Sequence, residues 1–264
     1  MQTFSIAPLR KVRQYITKNL QVSEIDTLSP HFFDDDDDIP EPDSLNALGG
    51  IFNMGGVGDF DDDTAHTEPE GSWTISNMNP ADVLYKFPGL QLKPKIRLVS
   101  FTFQHHTDGK GVVWAVPEQY CTTDYLERAV ENAGGVKQPP HPSDAFADFM
   151  DAIEGDRSLV TFFVASILRR EILEYGAKGQ FQNWTHHRLI DTVPASIKSY
   201  WKSEHPQNLR PKINELSDGK VAIEFFTCRV VPPVMIVRHV DQYPAKNYSP
   251  KTTHQVLLKL QEKH

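Results

Sequence analysis

Eleven histidines and thirty-five carboxylates give this 264-residue chain ample ligand groups for metal chemistry, so spacing decides the matter. The strong signatures are missing: no H-E-x-x-H, no C-x-x-C, and no H-x-E followed by P-C-x-x-C. His105 and His106 adjoin at the end of an expected strand, so they point to opposite faces and do not share an ion easily. His106 and Asp108 are better placed, at a strand–turn junction. If the chain near residue 187 is helical, His187 and Asp191 fall at i, i+4 on one face, with His186 turned about 100° away. A metal site of His105 or His106 with Asp108, His187 and Asp191 is thus conceivable, and it would suit a metal-assisted hydrolase or nuclease-like enzyme.

Other catalytic patterns are weaker. No serine lies in a G-x-S-x-G elbow. Cys121 has no local base, and Glu118 and Glu224 lie in or beside apolar strands with no sign that they meet. No sequence feature names a cofactor. Aromatic residues do lie near bases, as in Trp184 with Arg188 and Trp201 with Lys202. Stacking beside backbone neutralisation is how single-stranded nucleic acid is held. Residues 86–264 carry 23 bases against 19 acids, too mild a surplus to make nucleic acid the leading partner.

Charge is distributed unevenly. From Asn19 to Tyr85 there is no Lys or Arg, and that span holds sixteen of the 35 acids. Residues 1–18 carry four bases and no acid. A block such as Asp34, Asp35, Asp36, Asp37 and Asp38 repels itself and is ordinarily a solvated linker. Phe33 immediately before it adds an apolar anchor, which suits capture by a basic partner surface. The calcium-loop pattern D-x-D-x-D-G is absent from the run.

The elements that would position these groups emerge from periodicity. Ile6, Leu9, Val12, Ile16 and Leu20 recur at helical spacing with bases between them, which predicts a basic amphipathic helix in residues 1–20. Residues 21–85 are acidic and rich in Gly and Pro, and a largely irregular segment is expected there. Residues 86–264 should form an α+β domain. Ile96–His105 and Val112–Val116 read as a hairpin turning at Asp108–Gly111. Three helices come next: one capped at Asp124 with Glu127, one from Ser143 to about Gly155, and a very apolar one from Ser158 to Tyr175. A further short helix is expected within residues 180–206. Val221–Val231 and Val234–Val240 read as strands, and Val256–Leu260 as one that could close the sheet. Strands and helices come in groups, so the expectation is an antiparallel sheet of about four to five strands packed on about three helices.

No apolar h-region opens the chain and no run approaches the ~20 residues of a membrane span. With two separated cysteines, reduced thiols and a cytoplasmic location are expected. The leading functional expectation is a non-enzymatic interaction or regulatory protein whose acidic segment tunes contacts with a protein of basic surface. The metal-assisted enzyme and the single-strand nucleic-acid binder are the alternatives.

Overall fold

A computed structural model describes residues 2–21, 71–198, 208–216 and 218–260. They belong to one unit that joins the N-terminal helix to the chain from Gly71 onward. In chain order the elements are β1 (Gln2–Thr3), α1 (Ile6–Asn19), β2 (Ser72–Ile75), β3 (Leu90–Leu92), β4 (Ile96–His105), β5 (Asp108–Pro117), α2 (Thr123–Glu131), β6 (Ile153–Gly155), α3 (Leu159–Leu173), β7 (His187–Ile190), α4 (Ala195–Lys198), β8 (Lys212–Glu215), β9 (Val221–Arg229), β10 (Met235–Tyr243) and β11 (Lys251–Lys259). This is the α+β architecture with antiparallel sheets that the grouping of elements implied.

The two expected hairpins belong to different sheets. Strands β2, β4 and β5 form a three-stranded sheet, and β3 pairs with β6 alone. The main sheet has six strands in the order β1-β8-β9-β10-β11, with β7 also paired to β9. β7 lies along the far end of β9 (His187 opposite Arg229), and β8 along its start (Glu215 opposite Val221), so the two succeed one another on the same edge. β2 pairs with β4, so the folded unit takes in the chain from Gly71 onward together with α1.

Helix α3 is the hub. Its residues 161–168 are all buried, and so are Arg170, Glu171 and Ile172. A helix apolar on all sides belongs in an interior. α1 covers one side of it: Ile6, Leu9 and Ile16 turn into the core, and Ser5 caps the helix by accepting the Ala7 N–H. The helix expected from Ser143 does not form. The Phe146 N–H bonds the Ala115 carbonyl, tying that stretch to β5, and only one short turn, Phe149–Ala152, precedes β6. Helix α2 is capped at Thr122 rather than at the expected Asp124, with no side-chain bond there. The β4–β5 turn is His106-Thr107, since His105 faces Asp108, and His106 takes a positive φ of 52°. Asp108–Gly111 are therefore strand residues.

One charged contact ties α3 to the main sheet. Arg170 donates to both oxygens of Asp241, at 2.6 and 2.9 Å, and both side chains are buried. The Thr252 hydroxyl also donates to Asp241, and Arg170 lies 4.7 Å over the Phe225 ring. Burial alone would raise the Asp241 carboxyl, but the Arg170 charge and these hydrogen bonds outweigh it and hold it below the usual range. Removing one member of such a pair leaves an uncompensated buried charge. Arg170→Met should therefore lower unfolding free energy by about 3–5 kcal/mol, and adding Asp241→Leu should restore much of that loss. Urea denaturation of both variants checks this; a single variant as stable as the parent would contradict it.

Candidate functional site

On the α3-facing side of the main sheet, period-2 alternation and ladder register bring one polar side chain from each of four strands into a row. His239 on β10 stands opposite Phe225 on β9 and opposite His254 on β11. Thr227 is two residues along β9 from Phe225, so it shares that face, and it stands opposite Leu189 on β7. His187, two residues before Leu189, shares the face too. The result is a continuous chain. His187 Nδ1 lies 2.8 Å from Thr227 Oγ1, Thr227 Oγ1 lies 2.7 Å from His239 Nε2, and His239 Nδ1 lies 2.8 Å from His254 Nδ1. His187, Thr227 and His239 are buried, while His254 is exposed.

A cavity of about 440 Å³ opens against this chain. His187, His239 and His254 line it together with Arg170, Trp184, Phe181 and the edge of β5 at Gly111. A Cβ at Gly111 would stand 2.5 Å from the Tyr175 carbonyl oxygen, so only glycine lets the hairpin approach the end of α3 so closely.

Trp184 forms the inner wall. Its indole N–H donates to Glu171 at 2.6 Å, its ring lies nearly parallel to His187 at 5.7 Å, and His239 meets it edge-on at 5.6 Å. Two guanidiniums stack on the indole, Arg13 at 4.5 Å and Arg170 at 5.6 Å. Arg13 also donates to Glu171 at 2.7 Å, to the Trp184 carbonyl at 2.8 Å and to the His187 carbonyl, while Thr17 donates to the second Glu171 oxygen. α1 is thus the support behind the wall. Glu174 accepts backbone N–H groups of Asn183, Trp184 and Thr185 and fixes the turn that delivers Trp184.

Burial is the largest cause that lowers the imidazole pKa values. His187 falls from 6.5 to about 4, helped by Arg229 and Arg13, and His239 falls to about 2, helped by Arg170. His254 is lowered in the same way, by burial and then by Arg170. All three rings are neutral at pH 7. With Arg170 offset by Asp241, the described residues leave no uncompensated charge in the cavity interior. Lys110 and Glu174 bring opposite signs to its rim.

The residues singled out from sequence are dispersed. His106 is in the β4–β5 turn, with its ring 4.2 Å from that of His105, so the two rings touch. Asp108 accepts both the backbone and side-chain N–H groups of Gln180. His187 lies in a strand, not a helix, and Asp191 comes just after that strand with its carbonyl bonded to the Leu209 N–H. Among the described residues no three His, Cys, Asp or Glu side chains are grouped to hold a metal ion. Trp184 is buried under Arg13 and does not offer a face for base stacking. Arg188 is exposed and donates to the Thr185 carbonyl. Trp201, Lys202, Phe33 and Asp34–Asp38 lie outside the described residues. Glu118 pairs with exposed Arg97, and Glu224 pairs with Lys212 and Arg238, so those carboxylates do not meet. Burial raises the Cys121 thiol, which disfavours the thiolate.

Sequence reasoning missed Thr227, His239 and His254. Alternation along β9 and β10 could have grouped Thr227 with Phe225 and His239 with Asp241, but nothing local gives the register that joins them. No protein-family model matches the chain, and no curated protein or solved structure matches it. Among the described residues no helix is long and apolar enough to cross a membrane.

The depressed histidines couple folding to pH. Their folded pKa values lie below the ordinary 6.5, so the unfolded chain takes up protons first as pH falls. Their contribution to stability is complete above about pH 6.5 and is lost progressively as pH falls towards 4. Urea midpoints should be flat above about pH 6.5 and decline below it towards pH 4, with a shallower decline in His187→Gln. A midpoint unchanged down to pH 4.5 would contradict this.

Proposed function

We propose that the protein is a binding module that takes an uncharged, partly aromatic ligand group into the histidine–tryptophan cavity. The observation that carries this reading is convergence: three imidazoles, an indole and a charge-balanced arginine border one cavity of about 440 Å³. A concave site with an apolar lining, a few convergent polar groups and perturbed titratable residues is the usual form of a ligand site. The balance of charge inside favours a neutral ligand, because an unpaired ion is costly to bury. Rings at pKa values of about 4 and 2 are weak bases at neutral pH, which favours recognition over general-base catalysis.

Leu173 at the cavity border is 58% exposed, so replacing it should spare the fold. Titration with indole, phenol and benzamide should shift the ring resonances of His187, His239 and His254 saturably. Leu173→Trp should weaken that binding at least about tenfold with an unchanged unfolding midpoint, since the larger ring intrudes on the opening. Fragments that leave all three rings unperturbed at millimolar concentration would overturn the proposal.

A second reading rests on a separate groove of about 780 Å³ between α1 and β7. Among the described residues, Arg10, Arg13, Lys18 and Arg188 line it against the single acid Glu171. Arg10 is held by the Leu189 carbonyl and Arg188 by that of Thr185, so their guanidiniums are oriented in advance. The chemistry fits an acidic polypeptide partner, in keeping with an interaction protein. A poly-glutamate peptide should bind with marked salt dependence, and Arg188→Glu should weaken it. Binding indifferent to salt and to that substitution would remove this reading.

A further inference from the structure

The main sheet protects its edges unequally. At one end β1 is only two residues long, Gln2–Thr3. β7 pairs with β9 on one side, and on the other α1 supplies donors to its outward carbonyls: Arg10 donates to that of Leu189 at 2.9 Å and Arg13 to that of His187. β11 is different. It runs for nine residues, Lys251–Lys259, pairs with β10, and among the described residues no strand pairs with its other side. Alternate N–H and C=O groups along that side point outward, and such an edge is a template for a further strand. The strand contains no Pro and no Gly, and its only charges are the exposed lysines at its two ends.

This open edge borders the cavity. His254 of β11 lines it, and exposure rises along the histidine row towards that edge, from buried His239 to exposed His254. Val256 shares the face of His254, stands opposite the cavity-lining Val237 and is 52% exposed, and Leu173 at the cavity border is exposed as well. We infer that the group entering the cavity is the aromatic side chain of an extended polypeptide that adds to β11 as a seventh strand. The inference rests on the reading of the cavity as a ligand site. Side chains of an added strand alternate between faces, so a residue opposite His254 or Val256 projects to the cavity side. Aromatic side chains reach even the diagonal neighbours on an adjacent strand. Backbone pairing then supplies affinity and the cavity selects the side chain, as in other cases of strand addition. The ends of β11 decide which strand fits. A second copy paired antiparallel about Gln255 would set Lys251 of one chain against Lys259 of the other, and like charges placed opposite one another destabilise a pair. A partner with acidic residues flanking its aromatic residue meets those lysines favourably.

The probe is the acetylated, amidated peptide Glu-Thr-Val-Tyr-Val-Thr-Glu, titrated into the full chain at neutral pH. Binding should be saturable and should shift the ring resonances of His254. It should slow hydrogen exchange at alternate amides of residues 252–256 at least about tenfold. Replacing the peptide's Tyr by Ala should weaken binding at least about tenfold, as expected for an aromatic anchor in a pocket. Leu173→Trp in the protein should weaken the peptide as it weakens phenol. N-methylation of both valines and N-methylation of both threonines block opposite edges of the peptide strand, so one version should lose binding and the other keep it. Two versions that bind equally overturn the inference, and so does binding that protects no amide of β11. Protection of β11 that rises with protein concentration in the absence of peptide makes a second copy the occupant and also overturns it. If phenol shifts the histidine rings and the peptide does not bind, the inference fails while the cavity remains a ligand site; if neither binds, both readings fail. The N-methylated peptides leave the protein unaltered, so no folding defect enters that comparison.

Discussion

The buried pair of Arg170 and Asp241 sets the position of everything that forms the cavity. Helix α3 is apolar on nearly all sides, and apolar contact alone does not specify its rotation or height against a sheet. A bidentate guanidinium–carboxylate contact does, because both donor directions are fixed. With Asp241 fully buried and Arg170 stacked on Phe225, the helix has one seat on β9 and β10. The next residue, Glu171, then accepts the indole N–H of Trp184 and is within reach of Arg13 and Thr17 from α1. A buried ion pair is weak evidence of net stability, and its value here is the geometry it imposes.

From that seat, register determines the rest. A one-residue slip between β9 and β10 would send His239 to the opposite face and leave Thr227 with His187 as its only partner in the row. Tight ladders through Phe225, His239 and His254 prevent that slip, and the apolar cluster on the reverse face, built around Phe226, Cys228 and Ile236, resists it from the other side. The polar row is thus a product of sheet pairing, and its neutrality is a product of burial beside three cationic arginines, Arg13, Arg170 and Arg229.

Much of this was legible in the sequence, and the losses have definite causes. Strand β4 was readable from end to end, as were α1 and α3, because long periodic runs carry their own signal. β9 and β10 were readable to within a few residues. β7 is only four residues long and sits in a stretch dense in Trp, His and Arg, so helical spacing competed with alternation and placed His187 beside Asp191. Trp184 was grouped with Arg188 by proximity in sequence, whereas the guanidiniums that stack on it come from α1 and α3. The site itself depends on four strands drawn from residues 187 to 259, whose pairing is a long-range property that no local window contains. The acid-rich segment was legible only as charge.

Neutral, singly protonated imidazoles in the sheet are the central physical claim, and the ring-nitrogen chemical shifts of His187, His239 and His254 at pH 7 report them most directly. Each ring should show one protonated and one unprotonated nitrogen, with His187 Nδ1 and His254 Nε2 both protonated or both unprotonated, since a single proton arrangement runs through the chain. An imidazolium at His187 or His239, or ring states at His187 and His254 that vary independently of each other, would contradict it.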